Sequence, residues 1–269
     1  MCSSGILLFR ALVHGEINDI LIRILSEIPA EELVLVCRLV CSQWKNIIDG
    51  LDFWQTKCMQ DCFMETELEK EPINWKTVYF LNKRKRNLLK NNSGEGKKSF
   101  AISLLDLNYG GDGWKIEDLP GDNGNDFPFE GIKKYFATSF EWCSKSQLID
   151  LLSEGYWEDL LDTDQPNILI EDWYAARSDS GCLYELCVQL LSDNKDIITE
   201  YKSEIITIPQ FSDASWNQIN HTFSGYGPGV RFIRFQHGGQ DSVFWKGWYG
   251  VRVTNSSPIS RRLPHSLTN

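Results

Sequence analysis

The chain has 269 residues, and its 42% hydrophobic content with ten tryptophans supports packed cores and excludes wholesale disorder. This length makes two domains the natural expectation. A formal net charge of −10 argues against nucleic acid as the main partner, because phosphate binding needs a basic face.

The start of the chain, Met1–Arg10, is a short apolar run broken by arginine, and it does not have the pattern of a signal peptide. We find no stretch of the sequence long and apolar enough to span a bilayer. We therefore expect a cytoplasmic protein without a membrane span, whose eight cysteines are thiols.

Residues 16–64 carry the apolar spacing of short helices. The side chains that recur three and four residues apart in the first helix are Ile17, Ile20, Leu21, Ile24, Leu25 and Ile28. Pro29 ends that helix, a second runs through Cys41, a third carries Trp44, and Phe53 with Trp54 indicates a fourth. Three or four helices in under fifty residues make a marginal core, which favours packing against a partner.

The next stretch, 65–98, is predicted to be a linker. It holds the basic cluster Lys83–Arg86, which is more typical of a solvated helix face than of a nuclear signal. The polar segment Asn91–Lys98 that follows is rich in turn-forming residues.

The sequence from residue 99 to residue 257 has the residue pattern of a β domain. Short β-branched or aromatic segments bounded by Gly, Pro, Asp or Asn are Phe136–Phe140, Ile168–Ile170, Tyr184–Leu190, Ile205–Ile208 and Val230–Phe235. Strands at this spacing predict an antiparallel β-sandwich. The whole chain is thus predicted to be an α+β multidomain protein, with residues 258–269 as a tail.

The run His237–Gly250 is the most informative segment of the chain. Its glycines permit tight turns, so it predicts a strand, a loop and a second strand. Phe244 and Trp245 are adjacent and would point to opposite faces of a strand, which indicates that aromatic surface is exposed beside Lys246. Such a surface suits a flat ligand with an apolar face and hydroxyl edges, such as a sugar. Asp241 is predicted to cap the turn.

Metal binding and catalysis are the two chemistries that compete with this interpretation. The pairs Cys37/Cys41 and Cys58/Cys62 have four-residue spacing, which favours core packing on a helix over zinc ligation, and we predict no metal and no cofactor. A catalytic alternative would use His237 with a cysteine and an aspartate, or Asp179 and Asp241 as a carboxylate pair. We predict no intrinsic catalysis, since neither set lies in a recognisable catalytic motif.

The helical segment resembles an F-box, most clearly in Leu35–Lys45 followed by Phe53-Trp54. The β segment is similar to the F-box-associated (FBA) domain of the sugar-recognising F-box proteins. Its matching stretches are Tyr135–Cys143, Glu154–Glu158, Asp172–Cys182 and 237–255. Together they cover nearly all of residues 16–257 in family order.

This resemblance implies a sandwich of the galactose-binding-like type and a substrate receptor in a Skp–cullin–F-box ubiquitin ligase, acting at the cytosolic face of the endoplasmic reticulum. The sandwich would bind the inner chitobiose of N-glycans on misfolded glycoproteins, for ER-associated degradation. By motif match, the glycan-binding residues are Phe140, Asp179, Phe244, Trp245 and Lys246. The residues expected to bind the Skp adaptor are Ile20, Leu21, Leu39, Val40 and Trp44.

Two alternatives stay open at this point. F-boxes commonly begin with a Leu-Pro pair, and this chain has Glu16 and Ile17 there. That departure leaves room for a cytosolic lectin or chaperone-like binder that does not join a ligase. The second alternative keeps the ligase and replaces the glycan by a protein ligand.

Overall fold

The computed structural model describes residues 18–61, 74–83, 86–96 and 106–261. These residues form two compact units, which divide between residues 84 and 85. The predictions made for Glu16, Ile17 and Cys62 lie outside the described residues.

The first unit is helical. Its first helix, α1, is described over residues 18–26, and a 3₁₀ turn covers Cys37–Leu39. The other helices are α2 (Ala30–Leu35), α3 (Ser42–Ile48), α4 (Leu51–Gln60) and α5 (Trp75–Lys83).

The core of the helical unit is built on Trp54, which is buried. Its ring lies 5.5 Å from that of Tyr79 and 5.4 Å from that of Phe80, so α4 packs on α5. Its indole N–H donates to the Ile48 carbonyl at 2.6 Å, which satisfies the polar atom that burial removes from water. The predicted fourth helix is therefore confirmed, with Phe53 and Trp54 in the core.

The second predicted helix differs from the structure. It was expected to continue through Cys41, but it ends at Leu35 and continues only as the 3₁₀ turn. Cys37 and Cys58 are buried as predicted, whereas Cys41 is exposed, so its assignment to the core is wrong. The described residues hold no group of three or more His, Cys, Asp or Glu placed to bind a metal.

Within the range predicted as a linker, both units contribute structure. Helix α5 belongs to the helical unit through its contacts with α4. Residues 86–96 are bonded to the second unit instead: the Lys90 N–H donates to Gln147 Oε1 at 2.8 Å, and the Lys133 N–H donates to Glu95 Oε1 at 2.8 Å. The polar turn residues therefore line the surface of the β domain.

The second unit is the predicted antiparallel β-sandwich. One sheet has the order β1-β4-β10-β6-β7, with β8 also paired to β6, and the other has the order β2-β3-β11-β5-β9. The strands are β1 (Asp106–Asn108), β2 (Lys115–Asp118), β3 (Lys134–Ala137), β4 (Cys143–Asp150), β5 (Asn167–Ala175), β6 (Cys182–Leu191), β7 (Ile197–Lys202), β8 (Ile206–Ile208), β9 (Asn217–Phe223), β10 (Phe232–Asp241) and β11 (Arg252–Arg261).

Strict alternation explains why these segments form a sandwich. In β5 and β6 every second side chain is buried, so each strand presents one apolar face to the opposite sheet. The segment predicted as a strand at Phe136–Phe140 is a strand only as far as Ala137. Its last three residues lie in the loop that follows β3.

A polar network lies inside the sandwich, centred on the fully buried Asp172 of β5. Its carboxylate accepts hydrogen bonds from Tyr184 Oη at 2.6 Å and Ser256 Oγ at 2.7 Å, and it lies 2.5 Å from His237 Nδ1. These partners come from both sheets. Because each buried polar atom is satisfied, the network fixes how the sheets face each other.

Complete burial lowers the pKa of His237, although the Asp172 carboxylate partly offsets this effect. Lys145 lies over the Phe136 ring at 3.0 Å, and burial places its pKa well below the usual value. Both groups therefore bind protons more readily in the unfolded chain than in the folded one.

Linkage makes the protein less stable as the pH falls. The His237 contribution is present above the ordinary histidine pKa, near 6.5, and is lost as the pH drops toward its lower folded pKa. Lys145 changes stability in the same direction. We expect urea unfolding to show stability falling between pH 7 and pH 5, by up to about 1.4 kcal/mol per pH unit for each proton taken up.

The matched control for this prediction is the half-buried His221 of β9, whose pKa burial also lowers. We expect His237→Gln to flatten the pH dependence more than His221→Gln, because His237 is completely buried. Equal slopes in the two variants would contradict the account.

Candidate functional site at the loop end of the sandwich

Strand register brings several loops to one end of the sandwich. The last residues of β3 and β5, Ala137 and Ala175, both pair with the first residue of β11, Arg252. In the other sheet the last residue of β10, Asp241, pairs with the first residue of β6, Cys182. The β3–β4, β5–β6 and β10–β11 loops therefore meet at this end, which we call the loop end.

All five predicted glycan-binding residues lie in these loops. Phe140 is in the β3–β4 loop and Asp179 in the β5–β6 loop, and both are half-buried. Phe244, Trp245 and Lys246 are consecutive in the β10–β11 loop and exposed, with 69% of Phe244 and 44% of Trp245 accessible. The predicted strand–loop–strand with exposed rings at its tip is confirmed.

The β10–β11 loop is built on Asp241, which is fully buried. One carboxylate oxygen accepts the N–H groups of Val243 at 3.1 Å and Phe244 at 2.5 Å, and the other accepts the Trp245 N–H at 3.1 Å. The predicted turn cap is thus confirmed, and it is more extensive than a single capping bond.

Asp179 is not a free carboxylate. The Arg177 guanidinium binds both of its oxygens, at 2.8 and 2.9 Å, and Asn123 Nδ2 donates to Oδ2 at 2.8 Å. The hydrogen bonds between Arg177 and Asp179 lower the pKa of the Asp179 carboxyl and raise the pKa of the Arg177 guanidinium. The side chain is 34% exposed, so a ligand would meet an ionised carboxylate already held in one orientation.

Tyr249 connects the β5–β6 loop to the β10–β11 loop. The Arg177 guanidinium lies 4.6 Å from the centre of its ring, and the Trp245 ring meets it edge to face at 5.5 Å. Both contacts are favourable for a π system. Asp179, Arg177, Tyr249 and Trp245 thus form one continuous row of contacts.

Ser139, the residue before Phe140, bonds the β3–β4 loop to the β10–β11 loop. Its buried hydroxyl donates to the Gly247 carbonyl at 2.8 Å and accepts the Asp112 N–H at 2.9 Å. The Phe140 ring lies against Gly111, where an added Cβ would fall 2.9 Å from Phe140 Cε1. Gly111 also has φ +58°, so both space and backbone require glycine there.

Two exposed aromatic side chains at the loop end were missed by the sequence analysis. Tyr109, in the β1–β2 loop, is 55% exposed, and Phe211, in the β8–β9 loop, is 82% exposed. The Phe211 N–H donates to the Ser178 carbonyl at 2.9 Å, which places it beside the Asp179 loop. Each follows a short strand as an isolated ring, and no local pattern distinguishes it from a core residue.

The geometry disfavours the catalytic alternatives. A general acid needs a raised pKa, whereas that of Asp179 is lowered, and Asp241 is buried and occupied by backbone N–H groups. His237 is buried between the sheets with Asp172 rather than beside a cysteine.

The residues predicted to bind an adaptor lie in the helical unit. Ile20, Leu39 and Val40 are exposed, at 58, 77 and 60%, whereas Leu21 and Trp44 are half-buried. Further exposed apolar residues of this unit are Ile24, Leu35, Val36 and Leu51. Apolar exposure on this scale is typical of an interaction surface.

Two family models match the chain, and the second match begins inside α5, a few residues before the boundary between the two units. The model described as "F-box domain" matches residues 18–56, and the model described as "F-box associated region" matches residues 79–259. The first match covers α1 to α3 and the first part of α4, and the second covers the sandwich from β1 to all but the last two residues of β11.

Several F-box only proteins are similar to the chain over most of its length. The chain is 54% identical to F-box only protein 2 of Bos taurus, over 89% of this chain and 81% of the relative. It is 48% identical to F-box only protein 6 of Homo sapiens (90% and 82% covered) and to F-box only protein 44 of Homo sapiens (90% and 96% covered).

Among solved structures, the chain is similar to TmCBM61 in complex with beta-1,4-galactotriose. The TM-score is 0.41 with 13% identity, over 65% of this chain and 99% of that one. The CBM22-1 xylan-binding domain of Paenibacillus barcinonensis Xyn10C gives a TM-score of 0.38 with 11% identity, over 66% and 96%. The assignment of the sandwich itself rests on the strand pairing described above.

A helical F-box followed by an FBA sandwich defines a substrate-receptor subunit of Skp–cullin–F-box ubiquitin ligases, an adaptor rather than a catalytic class of protein. The chain belongs to the F-box only proteins with an F-box-associated region, the family of F-box only proteins 2, 6 and 44. Among the helices of its described residues, none is long and apolar enough to cross a membrane.

Proposed function

We propose that this receptor binds the inner chitobiose of N-glycans on misfolded glycoproteins through the loop end of the sandwich, and delivers them for ER-associated degradation. It would act in the cytoplasm, at the cytosolic face of the endoplasmic reticulum. The observation that carries the proposal is the exposure of Phe244 and Trp245 on a turn built by a buried carboxylate, beside Lys246.

The chemistry of these side chains suits an N-acetylated sugar. An aromatic face covers the C–H face of a pyranose or an acetamido methyl group and excludes water from it. The Lys246 ammonium donates to hydroxyl or ring oxygens, and Asp179 accepts from O–H or N–H groups. Because Arg177 fixes Asp179, its remaining lone pairs would point in one defined direction.

Calorimetric titration of the full chain with chitobiose tests this proposal. We expect saturable binding of chitobiose and much weaker binding of cellobiose, the disaccharide without acetamido groups. No binding of either sugar would reject the glycan and favour a protein ligand at the same loops.

The helical unit supports the second half of the proposal, the contact with the Skp adaptor and, through it, the cullin scaffold. Ile20, Leu39 and Val40 are the predicted contacts that are exposed, so they are available to a partner. Leu21 and Trp44 are half-buried, so they would present less of their surface to the adaptor than the three exposed residues.

Leu39→Asp is expected to weaken capture of the Skp adaptor. Burying a charge at an apolar interface is unfavourable, and truncating a central contact typically costs ~2 kcal/mol, about thirty-fold in affinity. The measurement is adaptor binding to the purified full chain by biolayer interferometry.

The matched control is Ile197→Asp, at a 57% exposed apolar position on β7 of the sandwich. It should leave adaptor binding unchanged. If the unsubstituted chain captures no adaptor, the result favours the lectin or chaperone-like alternative. The glycan titration tests sugar binding independently of that result.

A further inference from the structure

The aromatic tip of the β10–β11 loop has no regular structure to hold it. Phe244 has φ +59°, a left-handed conformation that a bulky residue adopts only when its surroundings enforce it. The Phe244 side chain is 69% exposed, so its packing against the core does not supply that enforcement.

Asp241 supplies it through three hydrogen bonds. Its two oxygens accept the N–H groups of three successive residues, Val243, Phe244 and Trp245, which fixes the direction of the chain through the tip. The backbone on either side is tethered too, because the Asp241 N–H donates to the Ser139 carbonyl at 3.1 Å and the Ser242 N–H to the Gly181 carbonyl at 2.9 Å.

The hydrogen bonds that satisfy the buried Asp241 side chain therefore come from the loop itself. The carboxylate is fully buried, and among the described residues it has no ion-pair partner. Hydrogen bonds from backbone N–H groups therefore stabilise the carboxylate. These bonds exist only while the tip keeps this conformation. The buried carboxylate and the exposed rings are therefore coupled.

We propose that Asp241 is a positioning residue that holds Phe244 and Trp245 in their ligand-binding orientation before the ligand arrives. This inference rests on the proposed function, since it concerns the chitobiose site. A loop that is ordered in advance loses less conformational entropy on binding, so its affinity is higher than that of the same side chains on a free loop.

Asp241→Asn tests the proposal with little change in volume. The amide keeps one acceptor oxygen and places a donor opposite a backbone N–H. If the binding-competent loop population falls to about a tenth, the apparent Kd for chitobiose rises about ten-fold. The matched control is Asp150→Asn, which alters a turn cap on Ser153 at the opposite end of β4. It should leave the Kd unchanged.

A double-mutant cycle separates positioning from general destabilisation. If Asp241 acts through the tip, Asp241→Asn should have little effect in a Trp245→Ala background. An undiminished effect in that background would overturn the proposal. Should Asp241→Asn fail to fold, Asp241→Ser, which retains a short acceptor, takes its place in the cycle.

Amide hydrogen exchange gives a readout that needs no ligand. Asp241→Asn should accelerate exchange at Val243, Phe244 and Trp245 while the strands stay protected. Unchanged exchange at these three amides would overturn the inference. If exchange accelerates but the unsubstituted protein binds no chitobiose, positioning stands and the glycan assignment fails, so the two failures are distinguishable.

Discussion

Trp245→Ala should reduce the affinity of the full chain for chitobiose by about thirty-fold or more, because losing an aromatic anchor typically costs ~2 kcal/mol. The ring is 44% exposed and is held edge to face against Tyr249, so it offers its surface without rearranging. The measurement is calorimetric titration, with the unfolding midpoint as a check that the sandwich is intact.

Two further variants test whether the loss of affinity comes from the Trp245 ring itself. Lys246→Ala should cost less than Trp245→Ala, because an exposed ammonium is already well solvated. Phe129→Ala removes another exposed ring, 55% accessible in the β2–β3 loop, and should leave affinity unchanged. A larger loss from Lys246→Ala would contradict stacking on the indole, and full affinity in Trp245→Ala would place the glycan elsewhere.

Asp172→Ala should destabilise the sandwich by about 3 kcal/mol or more, because each buried polar group left without a hydrogen-bond partner costs about 1–3 kcal/mol. It leaves Tyr184, Ser256 and His237 without their common acceptor in a region that water does not reach. Urea unfolding of the full chain at pH 7 measures the loss.

Asp172→Asn keeps the shape and one acceptor oxygen, so it should be milder than Asp172→Ala. An exposed counterpart is Asp213, which caps its own turn through the Ser215 N–H at 3.1 Å. Asp213→Ala should cost much less stability than Asp172→Ala, because water can replace the lost capping bond of an exposed side chain. A comparably small loss in Asp172→Ala would mean that the buried network contributes little to holding the sheets together.

Local patterns account for the parts of the fold that could be predicted. The helices around Phe53 and Trp54, the alternating strands and the exposed tip at Phe244 and Trp245 each follow from residues a few positions apart. The end of α2 at Leu35 was missed, because the apolar spacing continues to Cys41 although Val36, Leu39 and Val40 face solvent.

The candidate site was predicted only in part. Asp179 was predicted to be a glycan-binding carboxylate, and the structure shows in addition that Arg177 and Asn123 donate hydrogen bonds to it. The bond between Arg177 and Asp179 spans two positions, but Asn123 lies 56 residues away. No local rule could have indicated that partner.

The sequence by itself determined the two-domain plan, the sandwich class and the loop that carries the exposed rings, because periodicity, glycine spacing and motif order are properties of neighbouring residues. The tertiary structure alone decided which loops meet at the ring-bearing end and which side chains fix them. Ser139 reaches Gly247 across 108 positions, and His237 reaches Asp172 across 65. Such contacts arise from strand register and sheet packing, which bring residues together without leaving a signature in the local sequence.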